Sequence, residues 1–274
     1  MRTVDVPGAQ IVVEEVGDGP VALVLHGGLG LDHQPYRSLD PLAASLRLAY
    51  LDHRGNGRST GDAATATMAR WAADAAAVAQ DLAGGEPVIV IAHSYGGFIA
   101  QEMAIAHGAC VRALILVGTT PGQLGRGEEP APEGPPMPSA FAEMLSVMPE
   151  SDEEYATLMR QLAPAYLHQT DAAVLRELVE NTVFSAAAMR RGFEELGRWS
   201  SIDRLATVTA PVLLVVGRHD AFTAWPQSDR IAARLTDAEV AILEHSGHFP
   251  WLDEPDRFFA AVLEWLRRRE LIDA

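Results

Sequence analysis

A single cysteine, Cys110, stands in 274 residues. No internal disulfide is possible, which suits a reducing compartment. Cys110 leads into the apolar run 111–117, where a small buried residue is expected rather than a thiol nucleophile. Long apolar runs are also missing. None approaches the roughly 20 residues that cross a bilayer as a helix, and the opening Met1-Arg2-Thr3-Val4-Asp5 has no apolar core of a secretion signal. A soluble, cytoplasmic protein is expected. Basic side chains are outnumbered, 21 Lys and Arg against 37 Asp and Glu, for a net charge of −16. Such a surface repels phosphate backbones and anionic lipid, so neither nucleic acid nor a membrane is the expected partner. A small-molecule substrate remains, with the chain as a monomer or homodimer. What is present in quantity is apolar: 48% of residues are hydrophobic, enough for a real core. The length fits one α/β domain with an insertion, or two small domains.

Short runs rich in Val, Ile and Leu recur at 21–25, 48–51, 88–91, 114–117, 212–216 and 239–243, each followed within two residues by Gly, Asp or His. Continuous apolar runs of this length suit strands buried on both faces of a parallel sheet. Residues 11–16 read as an early antiparallel strand. Between them, 68–82, 98–106, 226–235 and 255–268 have helical character; the last is amphipathic, with a proline suited to its first turn and arginines near its end. The expected fold is α/β, a mostly parallel, doubly wound sheet. The alternation breaks between about 119 and 199. Residues 121–138 are dense in Pro and Gly; helical stretches follow at 139–148, 152–162, 172–181 and 185–196. Residues 1–118 and 200–274 are therefore expected to form the core and 119–199 a helical cap over the sheet, an ordinary run of packing helices being the alternative. Insertions in such sheets gather at the carboxyl ends of the strands, where ligands bind.

The densest chemical signal is Ala92-His93-Ser94-Tyr95-Gly96-Gly97, directly after the run 88–91. A serine flanked by small residues at −2 and +2, between strand and helix, has the layout of a nucleophile elbow. A serine hydroxyl needs a base, and the base an orienting group. His248 is the candidate base. It lies in His245-Ser246-Gly247-His248, in the loop after the last strand, with Gly247 giving the turn that aims it. His245 is the competitor, and the pair could be read as metal ligands, although no Cys or acidic cluster completes such a site. Asp220 is the candidate acid, just past the strand 212–216; the preceding strand ends in Gly118-Thr119-Thr120, with no carboxylate. The order Ser, Asp, His suits a sheet of this kind. Backbone N–H groups of Tyr95, in the elbow, and Gly28, in His26-Gly27-Gly28-Leu29-Gly30, are the candidate oxyanion donors. The glycines of that loop match neither the dinucleotide nor the P-loop spacing. No cofactor and no metal is expected. The loop 52–59, with Asp52, His53, Arg54 and Arg58, reads as buried Arg–Asp pairing, with a catalytic Asp52 or His53 as the alternative. Tyr36, Phe141, Met144, Tyr166, Phe184, Trp199, Phe222 and Phe249 are candidates to line an apolar cavity.

These residues together resemble the α/β-hydrolase family over nearly the whole chain. Within it the 26–30 loop, the 52–59 loop, the helical insertion and Gly217-Arg218-His219-Asp220 resemble the proline iminopeptidase-like branch. The resemblance implies a serine hydrolase that cleaves a small ester or amide through an acyl-enzyme, with Ser94, Asp220 and His248 as its triad. An iminopeptidase-type aminopeptidase, a lactonase and a C–C bond hydrolase share these marks, and a non-catalytic ligand receptor can use the same scaffold. Epoxide hydrolases and haloalkane dehalogenases carry aspartate where this chain has Ser94. Two positions depart from the pattern: Ala92 replaces the first elbow glycine, and Leu29 stands where the iminopeptidases have proline. The iminopeptidases hold the substrate amine with cap glutamates, which makes Glu194 and Glu195 the residues to follow.

Overall fold

The apolar runs become the inner strands of one sheet. In the computed structural model, residues 1–28, 30–122, 134–136, 139, 141 and 148–273 are described. The strands are β1 (Arg2–Val6), β2 (Ala9–Val16), β3 (Val21–Leu25), β4 (Arg47–Leu51), β5 (Val88–His93), β6 (Val111–Val117), β7 (Val212–Gly217) and β8 (Ala238–Leu243). Their order across the sheet is β1-β2-β4-β3-β5-β6-β7-β8. The pairs β1/β2 and β2/β4 are antiparallel and the others parallel. The sheet is thus the mostly parallel one expected, with β1 added at its edge. That strand escaped the sequence reading because Thr3 and Asp5 are exposed between buried Val4 and Val6, a half-solvated edge pattern.

Alternation along the central strands divides the core in two. Leu23, Leu25, Val90, Ala92, Leu114, Leu116, Val212 and Leu214 face one side with Trp71, Phe98 and Met103. Ala22, Val24, Ile89, Ile91, Ala113, Ile115, Leu213 and Val215 face the other with Leu39, Trp251, Phe258 and Trp265. The first side is covered by α1 (Met68–Ala83) and α2 (Tyr95–Ala106), the second by α8 (Pro255–Arg268) and the 3₁₀ segment Gln34–Ala44. Helix ends follow local chemistry. Thr67 caps α1 by accepting the Arg70 N–H, and Gly84, at φ 62°, ends it.

Between β6 and β7 the chain leaves the sheet for α3 (Asp152–Tyr166), α4 (Ala172–Glu180) and α5 (Ala186–Leu196). Ser151 and Glu154 form a reciprocal capping box at the start of α3. The segment's neck is closed by a bridge between Gly122 and Ser200 and by the Ser201 N–H donating to Pro121 O at 2.9 Å. Leu31, Tyr155, Met159, Ala186 and Met189 pack it onto the 26–30 loop region. Apart from residues 139, 141 and 148, the helix expected over 139–148 lies outside the described residues, as do Leu29 and Met144. The remaining helices are α6 (Pro226–Ala232) and α7 (Pro250–Asp253). No helix among the described residues is long and apolar enough to cross a membrane.

The topology decides where a crevice opens. The chain leaves β3 for β4 on one side, then crosses back to place β5 on the other. Loops leaving β3 and β5 therefore diverge at their carboxyl ends, the reversal point at which open α/β sheets bind ligands.

The 52–59 loop is pinned beside that point by buried charge. Arg54 clasps Asp74 through Nε at 2.7 Å and Nη2 at 2.8 Å, both side chains almost fully buried. Arg58 pairs with Asp32 at 2.9 Å. Asp52 differs from the Arg–Asp reading: its carboxylate accepts His33 Nδ1 at 2.7 Å and the His33 and Arg58 backbone N–H groups at 2.9 and 2.8 Å. Asp74→Ala strands the Arg54 guanidinium without its partner and should cost about 3–5 kcal/mol, read as a lower midpoint in urea denaturation.

Candidate active site

Ser94 sits in the tight turn between β5 and α2 with φ 51° and ψ −116°, a region a serine occupies only when its surroundings leave no alternative. Its N–H donates to Val117 O at 2.9 Å, and its carbonyl accepts the Gly97 N–H and Thr119 Oγ1, both at 2.9 Å. Gly96 is obligatory: a Cβ there would collide with the carbonyl oxygen of Leu25. The elbow is thus wedged against the end of β3.

Asp220 follows β7 and His248 follows β8. His248 Nδ1 lies 2.8 Å from Asp220 Oδ2. Asp220 is completely buried and also accepts the Phe222 N–H at 2.8 Å, the Thr223 N–H at 2.9 Å and Thr223 Oγ1 at 2.7 Å. Burial pushes its pKa upward, but the His248 ring and the Thr223 donors outweigh burial and hold it at about 2. A carboxylate only accepts, so Nδ1 carries a proton and Nε2 is the nitrogen not engaged by Asp220.

Ser94 and His248 open onto one cavity of about 430 Å³. Gly28, Tyr36, Tyr95, Phe141, Tyr166, Phe222 and Phe249 line it as well. Tyr166 stacks on Phe222 at 4.2 Å beside the His248 ring, and Phe141 meets Phe222 edge-on at 5.0 Å. From the insertion come Tyr155 and Met159 on α3, with Met189 and Phe193 on α5. Trp199 does not line the cavity. Its indole N–H donates to Glu102 Oε2 at 2.8 Å and its ring packs behind Phe98, because the neck turns it into the core on the helix side of the sheet. Phe184 likewise packs behind Tyr155.

The backbone donors have a simple arrangement. Gly27 N–H is taken by Tyr36 Oη at 2.8 Å, which leaves Gly28 as the glycine of that pair facing the cavity. Tyr95 begins α2, so its N–H is among those without an intrahelical acceptor. Its side chain reaches the insertion, donating to Gly192 O at 3.1 Å.

One network was invisible in the sequence. His93 Nε2 lies 2.8 Å from His248 O, which can only accept, so Nε2 bears the proton. Nδ1 must then accept from Tyr36 Oη, 2.8 Å away. A relay runs from Gly27 through Tyr36 and His93 to the backbone of His248. Burial, and then the neighbouring His248 ring, hold His93 well below the usual imidazole value, so it stays neutral and the relay keeps one polarity. The only signal in the chain was adjacency to Ser94. His26 is locked too: Nδ1 donates to Gly27 O at 3.0 Å, Nε2 accepts the His53 N–H at 3.3 Å, and burial lowers its pKa to about 4. Asp52, bound to His33, and His53, whose Nε2 donates to His26 O at 3.1 Å, are both committed to loop structure.

Glu195 accepts Arg191 Nη2 at 2.6 Å and the Met68 N–H at 3.1 Å, while Glu194 pairs with Arg191 at 2.9 Å. Both glutamates are engaged away from the cavity. His245 is tied through its N–H to Glu254 at 2.8 Å. Among the described residues no group of three or more His, Cys, Asp or Glu side chains could hold a metal ion.

Residues 22–261 match the family model described as the alpha/beta hydrolase family. A proline iminopeptidase of Pestalotiopsis fici is 30% identical over 269 residues, covering 92% of this chain and 94% of that protein. A pimeloyl-[acyl-carrier protein] methyl ester esterase of Shewanella oneidensis is 28% identical over 93% of this chain and 94% of that protein. The solved esterase from Exiguobacterium antarcticum superposes with a TM-score of 0.79 at 20% identity, over 96% of this chain and 97% of that one.

The Asp220 carboxyl generates a pH prediction. Its folded value of about 2 lies below the ordinary 3.8, so ionised Asp220 stabilises the fold above pH 3.8 and that contribution is lost as the pH falls through about 2. Asp220→Asn should be less stable than the parent protein above pH 3.8. In urea denaturation the gap to the parent protein should close as the pH drops from 3.8 toward 2; a gap that ignores pH contradicts this account.

Proposed function

Because this chain belongs to the alpha/beta hydrolase family, we propose that it is a serine esterase acting on neutral esters with an apolar acyl or alcohol group. What supports the reading is that Ser94, on its strained turn, and His248, bonded to Asp220, line the same aromatic cavity. Ser94 Oγ attacks the ester carbonyl while His248 Nε2 takes its proton. Asp220 holds the imidazole in the tautomer that leaves Nε2 free and stabilises the cation that forms. The N–H groups of Tyr95 and Gly28 receive the negative charge on the carbonyl oxygen. The proton on His248 then passes to the departing alcohol, leaving an acyl group on Ser94. Water, deprotonated by the same imidazole, releases the acid and restores the serine. Residues 119–199 act as the cap, contributing Tyr155, Met159, Tyr166, Met189 and Phe193 to the substrate wall.

An iminopeptidase reading is favoured by the relative from Pestalotiopsis fici. Against it stand the engagements of Glu194 and Glu195 with Arg191, which leave both already paired. Among the described residues the cavity wall carries Phe, Tyr, Met and Leu and no acidic side chain, a lining that gains from burying an acyl chain and disfavours an ammonium.

Ser94→Ala should lower turnover of a p-nitrophenyl ester by roughly 10⁴ to 10⁶ and abolish labelling by a fluorophosphonate. Residual hydrolysis near the parent rate would sink the assignment, and a non-catalytic receptor would not label at all. Assayed beside it, proline naphthylamide should turn over far more slowly than a short or medium-chain ester; the reverse order assigns the chain to the iminopeptidases. Tyr166→Ala, which removes the ring stacked on Phe222, should raise KM for a bulky apolar ester more than for an acetate ester.

A further inference from the structure

The loop carrying His248 is held by the residues that follow it. Asp253, the last residue of α7 and 9% exposed, accepts four backbone N–H groups. Gly247 donates at 2.8 Å, His168 at 3.0 Å, Gln169 at 2.9 Å and Thr170 at 2.8 Å. The first belongs to the His248 loop. The other three form the turn that leaves α3, directly after Tyr166. Two further bonds join the same segments: the His248 N–H donates to Tyr166 O at 2.7 Å, and Thr170 Oγ1 donates to Leu252 O at 2.8 Å. The His168 ring stacks on His219, next to Asp220, at 3.5 Å. Gly247 permits the approach, since a Cβ there would lie 2.7 Å from Tyr166 O and 3.1 Å from the Leu167 carbonyl carbon.

We infer that Asp253 is a positioning residue for His248, binding the base loop and the Tyr166 wall of the cavity into one rigid unit. The inference rests on the reading of His248 as the base. A carboxylate offers about four lone-pair sites, and here four N–H donors fill them. No neutral side chain of the same size can do this. An amide has one accepting oxygen and turns an N–H₂ toward donors, so part of the set loses its acceptor and the two segments part. Asp220 still holds the imidazole by Nδ1, but the peptide carrying that imidazole is no longer fixed, and the distance from Nε2 to Ser94 is no longer set. The acid therefore acts on the chemical step from a place that substrate does not touch, and it ties the position of the base to the part of the insertion that meets the substrate.

The test is Asp253→Asn in the full chain, with circular dichroism to confirm folding. On a p-nitrophenyl acetate substrate kcat should fall about 10- to 100-fold, as expected for a displaced catalytic group, with KM little changed. Fluorophosphonate labelling of Ser94 should slow by the same factor. In a His248→Ala background the same substitution should add no further loss, because the group it positions is gone. Gly247→Ala, which forces the two segments apart while leaving Asp253 in place, should give the same kcat-selective loss if Asp253→Asn does not fold. A parent-like kcat and labelling rate in a folded Asp253→Asn protein overturns the inference. So does an equal loss with and without His248, the mark of a general structural role. If His248→Ala alone keeps full activity, the base assignment falls and this inference with it.

Discussion

The turn at Ser94 depends on the register between β5 and β6. His93 pairs with Val117, and this pairing puts the Val117 carbonyl and the Thr119 hydroxyl where they bond the serine's own N–H and C=O. On the opposite side the backbone of β3 comes so close to Gly96 that a side chain there is impossible. Backbone at φ 51° costs a serine roughly 1–3 kcal/mol, and such strain persists only where the surroundings over-determine it. Here two neighbouring strands supply the constraint. Slipping β5 by one residue would move every core side chain on it to the other face, so the large apolar core also guards a small polar geometry. The stability of the sheet and the exposure of the Ser94 hydroxyl are one arrangement viewed at two scales.

Around that turn, buried imidazoles are used as fixed dipoles as well as titrating groups. His26, His53 and His93 all have pKa values lowered first by burial. Each has one ring nitrogen on a backbone carbonyl, which can only accept, so the tautomer of the neutral ring follows from that bond. Neutral rings bring directional donors and acceptors into the core without the desolvation cost of a charge. His33, in contrast, has a raised pKa: burial opposes its charge, but Asp52 and then Glu14 outweigh burial.

What the chain disclosed in sequence form follows from the range of the forces involved. Strands at 88–91 and 212–216 were legible to within two residues because burial on both faces gives an uninterrupted apolar run. The helix 255–268 coincides with α8, whose proline start, apolar stripe and terminal arginines are local signals. Ser94, Asp220 and His248 were legible as residues just past strand ends. β1 was not, since alternation over five residues at an edge resembles any polar segment. Trp199 was misplaced because position near an insertion does not reveal which side of the neck a ring will take. Asp253 and His93 carry no local mark: Asp253 reaches His168 across 85 residues and His93 reaches His248 across 155, and only the folded topology brings these pairs together.

That difference in range separates chemistry from selectivity. Every group proposed to touch the reacting bond is set by the sheet: Gly28 after β3, Ser94 and Tyr95 after β5, Asp220 after β7, His248 after β8. Six of the described groups that would touch the rest of a substrate, Tyr155, Met159, Tyr166, Met189, Phe193 and Leu196, come from α3 and α5, which are seated by an apolar cluster around Tyr155 and Met189 and by bonds from Tyr95 Oη to Gly192 O and from the Met68 N–H to Glu195. The cavity-lining Met159 and Phe193 make neither of those hydrogen bonds, so they can be exchanged while the strand ends stay as they are. The exception is the end of α3. There Tyr166 is bonded through its carbonyl to the His248 N–H, and the turn beyond it is fixed to Asp253. A change of wall at Tyr166 must therefore preserve the backbone path that holds His248, while changes at Met159 or Met189 carry no such condition. The freedom to alter specificity is greatest at the far end of the cavity and smallest beside the imidazole, where one backbone segment serves both roles.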